Sequence, residues 1–291
     1  GRTSPDSETS ASGGRSALLL TNKHSGGDPS RLDAAIERLE QAKISVRRVA
    51  PDSVEDLRGC IRDSGEAMVV LAGGDGTMNA AAPALLNREQ PFGLLPMGTA
   101  NDLARSLGIP FDLGEAAEVI VAGENRRIDL GQIDGRPFFN VASIGLSAEV
   151  AREHEGEGKA RLGVLNYPAS AWRAFRRHRP FRAEVVVDGE VLRCHCMQVA
   201  VGNGRHYGGG LTIDEKAEID DGWLRVYYLK PAGLLSMLWV LPALRFGWLR
   251  NTPEAEVKWG RRVEIRTRRP RRINVDGELD GLTPARFDVL P

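Results

Sequence analysis

The sequence predicts two unlike units in series: an α/β unit built on a parallel sheet, then a β-rich unit of sandwich type. Three observations predict it. Apolar strands alternate with amphipathic helices from Ala17 to Ala122. Glycine-bearing loops follow the strands at Asn22–Gly27, Gly73–Thr77 and Met97–Asp102. After RRIDLGQIDG the pattern changes to short alternating stretches separated by glycine turns.

The elements follow in order. Residues 1–15 are polar and low in complexity and read as a disordered tail. Ala17–Thr21 is a strand, and NKHSGGDPS is a loop. Pro29 to about Lys43 is a helix, with Leu32, Ala35, Ile36, Leu39 and Ala42 at helical spacing. Ile44–Val49 is a strand, Val54–Ser64 a helix, Met68–Leu71 a strand and Met78–Leu86 a helix. Phe92–Leu95 is a strand ending in PMGTANDLARSL, whose tail turns helical, and Leu113–Ala122 is another helix. Such alternation implies a parallel sheet covered on both faces, whose ligands bind beyond the carboxyl ends of the strands. The three glycine loops therefore gather on one edge.

The boundary is expected near Ile128–Gly135, with residues 16–133 forming the first unit and 134–291 the second. The last strand has the option of returning to the first unit. In the second unit FFNVASIG, AEVVVDGEVL, CHCMQVAVGN, WLRVYYLK, RVEIRT and RINVDGEL read as strands, and roughly Leu162–Arg177 and Leu234–Leu249 as helices.

Lys plus Arg (39) balance Asp plus Glu (39), which excludes a uniformly basic nucleic-acid binder. Three cysteines make no disulfide framework, and Cys194 and Cys196 share one face of a strand, as in ordinary packing in a reducing compartment. Ala232–Leu249 approaches membrane-spanning length, but Pro242 and Arg245 interrupt it. It reads as a buried or amphipathic helix, or one dipping into a membrane surface, rather than as a span.

GGDGT has two readings. It is a tight strand-to-helix turn with Asp75 capping the helix, or a phosphate cradle in which Gly73, Gly74 and Gly76 let the backbone approach a ligand at a helix N-terminus. NKHSGG and MGTAND on the same edge favour the cradle, and together the loops imply a di- or triphosphate held by backbone amides. The lysine of a Walker-type loop is missing, so charge neutralisation falls to a metal such as Mg²⁺, or Mn²⁺ in its place. Asp75 is then tolerated if it faces that cation or the attacking hydroxyl.

GGDGT, NxxSGG (Asn22, Ser25, Gly26, Gly27) and GTAND followed by LAR resemble the diacylglycerol kinase catalytic family, which also includes sphingosine and ceramide kinases. FNVASIG, VGNG with GGG, DDGWLRV and INVDGE agree, so the resemblance runs from about Ala17 to the C-terminus. It implies an α/β nucleotide domain of the kind shared with NAD kinases, a C-terminal β-sandwich and an active site in the cleft between them. The nucleotide-contacting positions it implies are Asn22, Ser25, Gly26, Gly73, Gly74, Asp75, Gly76, Thr77, Asn79, Gly98, Thr99 and Asn101.

VDGE, Val275 to Glu278, reads by itself as a hairpin turn. The resemblance makes Glu278 the proton acceptor with Asp276 beside it, and Asp75 a third catalytic carboxylate. Asp75, Asp102 and Asp129 would surround Mg²⁺. A separate structural Mg²⁺ is implied at Glu218, Asp221 and the Trp223 carbonyl. RRVAPDS lacks the nucleotide-contacting Thr that the family often places after the second strand, and Glu215 stands where the family commonly has Pro.

Leu162–Arg182 and RTRRPRR (Arg266–Arg272) suit an anionic membrane interface, or are a solvated helix end and a charged edge strand. The expected activity is an ATP- and Mg²⁺-dependent lipid kinase, with diacylglycerol as the first candidate acceptor. It is expected in the cytoplasm, peripheral to the inner membrane face, with no nucleic-acid partner and with room for a homodimer. An NAD kinase-like enzyme and a nonenzymatic nucleotide or lipid sensor are the alternatives.

Overall fold

A computed structural model describes residues 15–21, 29–149, 177–207, 211–212, 218–231 and 255–291. The first unit has the order β1 (Ser16–Thr21), α1 (Pro29–Gln41), β2 (Ser45–Val49), α2 (Val54–Asp63), β3 (Met68–Gly73), α3 (Asp75–Leu85), β4 (Phe92–Pro96), α4 (Asp102–Leu107) and α5 (Leu113–Ala122). The four strands are parallel in the order β2-β1-β3-β4. Strand order reverses between β1 and β3, which opens a crevice beyond their carboxyl ends.

The central strands are buried on both faces, so they read as continuous apolar runs rather than as alternating ones. Leu19, Val70 and Ala72 pack with Leu32, Ala35 and Leu39 of α1 and with Ala116, Ala117 and Ile120 of α5. Leu18, Leu20, Val69 and Leu71 pack the other way, against Leu57 and Ile61 of α2 and Met78, Ala81 and Ala82 of α3. Burial of one such leucine contributes about 1.5–3 kcal/mol. The edge strand β2 exposes Arg47 and Arg48, charges that discourage pairing with another chain.

Several element ends differ by one to three residues from the expected ones, and two of them have a clear local cause. Helix α1 stops at Gln41 because Lys43 takes a left-handed conformation with φ 63°. Helix α3 begins at Asp75 and not Met78, since the extended Gly74 is its N-cap and Gly74 O already accepts from Thr77 N and Met78 N at 3.0 and 3.1 Å. A glycine-rich stretch hid a helical first turn.

The remaining strands are β5 (Leu130–Ile133), β6 (Arg136–Phe138), β7 (Val141–Gly145), β8 (Phe181–Val187), β9 (Glu190–Cys196), β10 (Gln198–Gly202), β11 (His206–Tyr207), β12 (Leu211–Thr212), β13 (Leu224–Leu229), β14 (Ala255–Gly260), β15 (Arg262–Thr267), β16 (Arg272–Val275), β17 (Glu278–Leu282) and β18 (Ala285–Leu290). They form antiparallel sheets in the orders β14-β13-β10-β7-β16-β17 and β6-β5-β18-β15-β8-β9, with β11 and β12 as a separate pair. Residues from both six-stranded sheets share one apolar core, including Phe138, Ile144, Val185, Val201, Val226, Ile265, Ile273 and Phe287. That is a sandwich. Cys194 and Cys196 are free thiols within this core, with sulfurs 3.8 Å apart. At its end β18 brings Leu290 onto the α2–α3 side of the first unit.

The NKHSGG loop and the helices expected at Leu162–Arg177 and Leu234–Leu249 lie outside the described residues, apart from Arg177 itself. Among the described residues no helix is long and apolar enough to cross a membrane.

Candidate active site

The loops after β3 and β4 lock together before any ligand is considered. A Cβ on Gly74 would sit 2.8 Å from the Gly98 Cα, and one on Gly98 2.5 Å from the Gly74 Cα. Met97 N donates to Gly73 O at 3.0 Å. Asn101 is left-handed at φ 51° and closes its own loop, with Oδ1 accepting from Gly98 N at 2.9 Å and Nδ2 donating to Gly98 O at 2.8 Å. These glycines are therefore small because two backbones touch. Gly76 differs. Its Cβ position is open, with Glu278 Oε1 nearest at 3.5 Å.

Asp75 does not cap its own helix. Its Oδ2 accepts from Asp102 N at 3.0 Å and its Oδ1 from Leu103 N at 3.1 Å, so it caps α4 from across the crevice. The Asn101 side chain makes no cap bond to α4, and Asp75 supplies the missing acceptor. Each oxygen still has a lone pair to offer. The amides of Asp75 and Gly76 open α3, where no carbonyl one turn earlier can accept from them.

Three Asp-Gly dipeptides make two-residue hairpin turns of one kind, each with φ positive at both central residues: Asp134–Gly135, Asp188–Gly189 and Asp276–Gly277. In each, the aspartate reaches to a neighbouring backbone. Asp134 Oδ1 accepts from Arg286 N at 2.9 Å, and Asp188 accepts from the amides of Arg261 and Arg262 at 2.8–3.1 Å. Asp276 accepts from Phe139 N at 2.8 Å, Asn140 N at 3.0 Å and Val141 N at 2.8 Å. Burial pushes its carboxyl up to about 7, the Asp75 charge adds to the rise, and the three amides pull against both. Asp276 is thus a clamp on the β6–β7 junction, as Asp188 is on the β14–β15 junction. Glu278, two residues on, is exposed.

The crevice holds a cleft of about 920 Å³. One wall is the carboxyl edge of the parallel sheet: Leu20 and Thr21, Pro51 to Val54, Gly74, Gly76, Thr77, Asn79, and Met97 to Thr99. The other is two hairpin turns, Gly135 to Pro137 and Glu278 with Asp280. Gly74, Gly76, Thr77, Asn79, Gly98, Thr99 and Glu278 therefore line one space, while Asp75 and Asn101 are turned to the backbone of the 98–103 loop. Asn22, Ser25 and Gly26 lie outside the described residues. Sequence reasoning missed Pro51, Asp52, Ser53, Arg58 and Arg136. The RRVAPDS departure was the available signal for the first three, because it follows β2 on the same edge.

The other acidic positions separate. Asp102 is buried and stays with Asp75. Asp129 is buried too, but its Oδ2 accepts from Gly222 N at 2.6 Å, which faces it toward the 218–225 turn. Burial raises its carboxyl above the ordinary value, and the charges of Asp221 and Asp220 add to that rise. Asn203, from VGNG, ties the two regions by donating to Asp129 O and Phe139 O at 2.9 and 3.0 Å. Within the turn, Asp221 and the Trp223 carbonyl are already held by the Arg225 guanidinium.

The comparisons with known proteins cover most of the chain. A family model described as the diacylglycerol kinase catalytic domain matches residues 16–133, and one described as the YegS C-terminal NAD kinase beta sandwich-like domain matches residues 140–291. The chain is 28% identical to "Diacylglycerol kinase" of Bacillus subtilis over 93% of its length and 92% of the relative's. It is 31% identical to "Probable lipid kinase YegS-like" of Enterobacter sp., over 94% and 93%. A crystal structure titled as a diacylglycerol kinase from Bacillus anthracis superposes with a TM-score of 0.80 at 25% identity, covering 95% of this chain and 94% of that one. Two family models in tandem and relatives aligned over nearly their full lengths leave one conclusion: the chain belongs to the diacylglycerol kinase family of lipid kinases, phosphotransferases with an alcohol acceptor.

Proposed function

We propose that this chain transfers the γ-phosphate of ATP to the free hydroxyl of diacylglycerol, giving phosphatidic acid, in a reaction that needs Mg²⁺. The observation that carries the reading is the position of Glu278, whose Oε1 lies 3.5 Å from the Cβ position of Gly76 in the first turn of α3. A carboxylate there stands beside the opening turn of α3, where helix amides would favour a phosphate. The B. subtilis relative's name supplies the acceptor.

In this reading the amides opening α3 and the 73–77 loop take phosphate oxygens. Asn101 and Asp75 hold the 98–103 loop in register with them. Glu278 accepts the proton of the lipid hydroxyl as its oxygen attacks phosphorus; a primary alcohol is not ionised at neutral pH, so the base is needed only as the bond forms. Asp276 fixes the turn that aims Glu278. Among the described residues no three acidic, His or Cys side chains converge to hold a metal. In this reading a cation would draw its oxygens mostly from phosphates and water, with Asp75 and Asp102 as the nearby protein carboxylates. Such an ion neutralises charge on the transferred phosphoryl oxygens when bound. The basic turn after β15, with Arg268, Arg269 and Arg272 exposed, would face an anionic membrane surface, together with Arg177 and Arg179.

The test is a transfer assay with radiolabelled ATP in mixed micelles, offering diacylglycerol, phosphatidylglycerol, sphingosine and NAD side by side. Label on diacylglycerol supports the reading. Label on NAD alone, or on no acceptor, sinks it.

A further inference from the structure

The turn leading into β13 gathers four carboxylates: Asp129, Glu218, Asp220 and Asp221. The family resemblance points to a structural divalent cation held by Glu218, Asp221 and the Trp223 carbonyl. The geometry does not fit one. Arg225, only 6% exposed on β13, donates from one terminal nitrogen to Asp221 Oδ1 at 2.6 Å and from the other to Asp221 Oδ2 at 2.5 Å. The first nitrogen also donates to the Trp223 carbonyl at 2.9 Å. The guanidinium thus occupies two of the three expected ligand groups. The third, Glu218, lies 3.6 Å from Arg126, which binds Asp220 through two nitrogens at 2.6 and 2.5 Å. A divalent ion on the same oxygens would sit against a guanidinium already within hydrogen-bond reach of them, and it would have to displace that guanidinium's hydrogen bonds and bear its like charge at close range.

We propose that Arg225 is the resident cation of the 218–225 turn, and that this chain folds the turn without metal. The planar fork of arginine suits the role, because it satisfies both carboxylate oxygens at once and keeps its charge at any working pH. The turn matters to the fold. Asp129 N donates to Ile219 O at 2.7 Å, Gly222 N returns to Asp129, and Ile219 packs in the core with Leu130 and Phe139. Asp221 also accepts from Glu218 N and Trp223 N, both at 3.0 Å, so the same carboxylate shapes the turn and anchors it to β13. A covalently supplied cation does not dissociate, which removes any dependence of this turn on free metal.

The experiment is thermal unfolding of the nucleotide-free full chain in EDTA and in millimolar Mg²⁺ or Mn²⁺, for the wild type and for Arg225→Thr. The wild-type midpoint should be the same in both buffers within error. Arg225→Thr should unfold several degrees lower in EDTA and recover in the metal buffer, because the freed oxygens then form a cation site. A wild-type midpoint that falls in EDTA, with the response lost in Asp221→Asn, would overturn the proposal. So would an Arg225→Thr variant that is as stable as wild type in EDTA, or one that is destabilised and not rescued by either ion. If Arg225→Thr folds in neither buffer, the wild-type pair decides: an unchanged midpoint supports the proposal and a metal-dependent one overturns it.

Discussion

Asp75, Asp276 and Glu278 bring the same carboxyl chemistry to one cleft, yet their surroundings divide the work among them. Asp75 spends a lone pair on each of two α4 amides, and Asp276 serves three amides of the β6–β7 junction, while Glu278 stands exposed beside Gly76. Glu278→Gln should keep the fold and ATP binding and lower turnover by roughly 10²–10⁴-fold, the usual contribution of a general base. Asp276→Asn should do something different. An Asn amide turns N–H donors toward backbone N–H donors, and each amide left unsatisfied costs about 1–3 kcal/mol. Its first effect should be a lower unfolding midpoint, measured by calorimetry, with turnover falling as a consequence. Native-rate turnover in Glu278→Gln beside an inactive but fully stable Asp276→Asn would assign the base to Asp276 instead. The glycines divide in the same manner. Gly76→Ala should leave the midpoint unchanged or raised, since its Cβ meets only Glu278 Oε1 at 3.5 Å, and any loss should appear in nucleotide affinity or turnover. Gly74→Val should destabilise the fold itself, because the added carbon meets the Gly98 backbone. Equal stability of the two variants by denaturant titration would contradict the two-loop contact.

At the scale of elements, the junction between α2 and β3 offers a clean pH test. Hydrogen bonds from Arg47 and then from Ser64 hold the Glu66 carboxyl down at about 2, from an ordinary value of 4.5. A lowered folded-state value means that its stabilisation is complete above about 4.5 and is lost as pH falls toward 2. The gap in unfolding midpoint between wild type and Glu66→Gln should therefore be widest near neutrality and close across that window; a gap independent of pH would mean that the ion pair contributes nothing. Most elements were legible in the sequence because burial on both faces writes apolar runs into β1 and β3, and one-sided burial writes Leu32, Ala35 and Leu39 into α1. The start of α3 was not legible, because Gly74, Asp75 and Gly76 read as loop while Gly74 O closes a helical turn. The site was legible where backbone chemistry demands a residue type, as at Gly73–Thr77 and the Asp-Gly turns. Sequence alone could not show that Asp75 caps α4, since its partners are 27 and 28 residues away. Nor could it show that VDGE at 187–190 and VDGE at 275–278 make the same turn for different ends. Only the second faces the cleft.

For the molecule as a whole, the cleft arises where the switch point of a parallel sheet meets two hairpin turns of a sandwich, and the proposed function requires a membrane lipid to reach that seam. If the exposed Arg268, Arg269 and Arg272 dock on an anionic surface, replacing them with Glu should raise the apparent KM for diacylglycerol in anionic vesicles several-fold. Activity on a short-chain soluble acceptor should not change. Equal KM values in anionic vesicles would leave these arginines without a membrane role, and added salt should weaken wild-type activity on vesicles by screening the same charges. The proposed chemistry is phosphoryl transfer to a lipid hydroxyl with Glu278 taking the proton. The most direct measurement follows label from γ-labelled ATP into phosphatidic acid for the wild type and Glu278→Gln, with and without Mg²⁺, alongside calorimetric ATP binding. The wild type should give labelled phosphatidic acid only with metal, and the variant, still binding ATP, should label it at a rate roughly 10²–10⁴-fold lower. Failure of the wild type to label any lipid, or native-rate labelling by Glu278→Gln, would contradict the proposed chemistry.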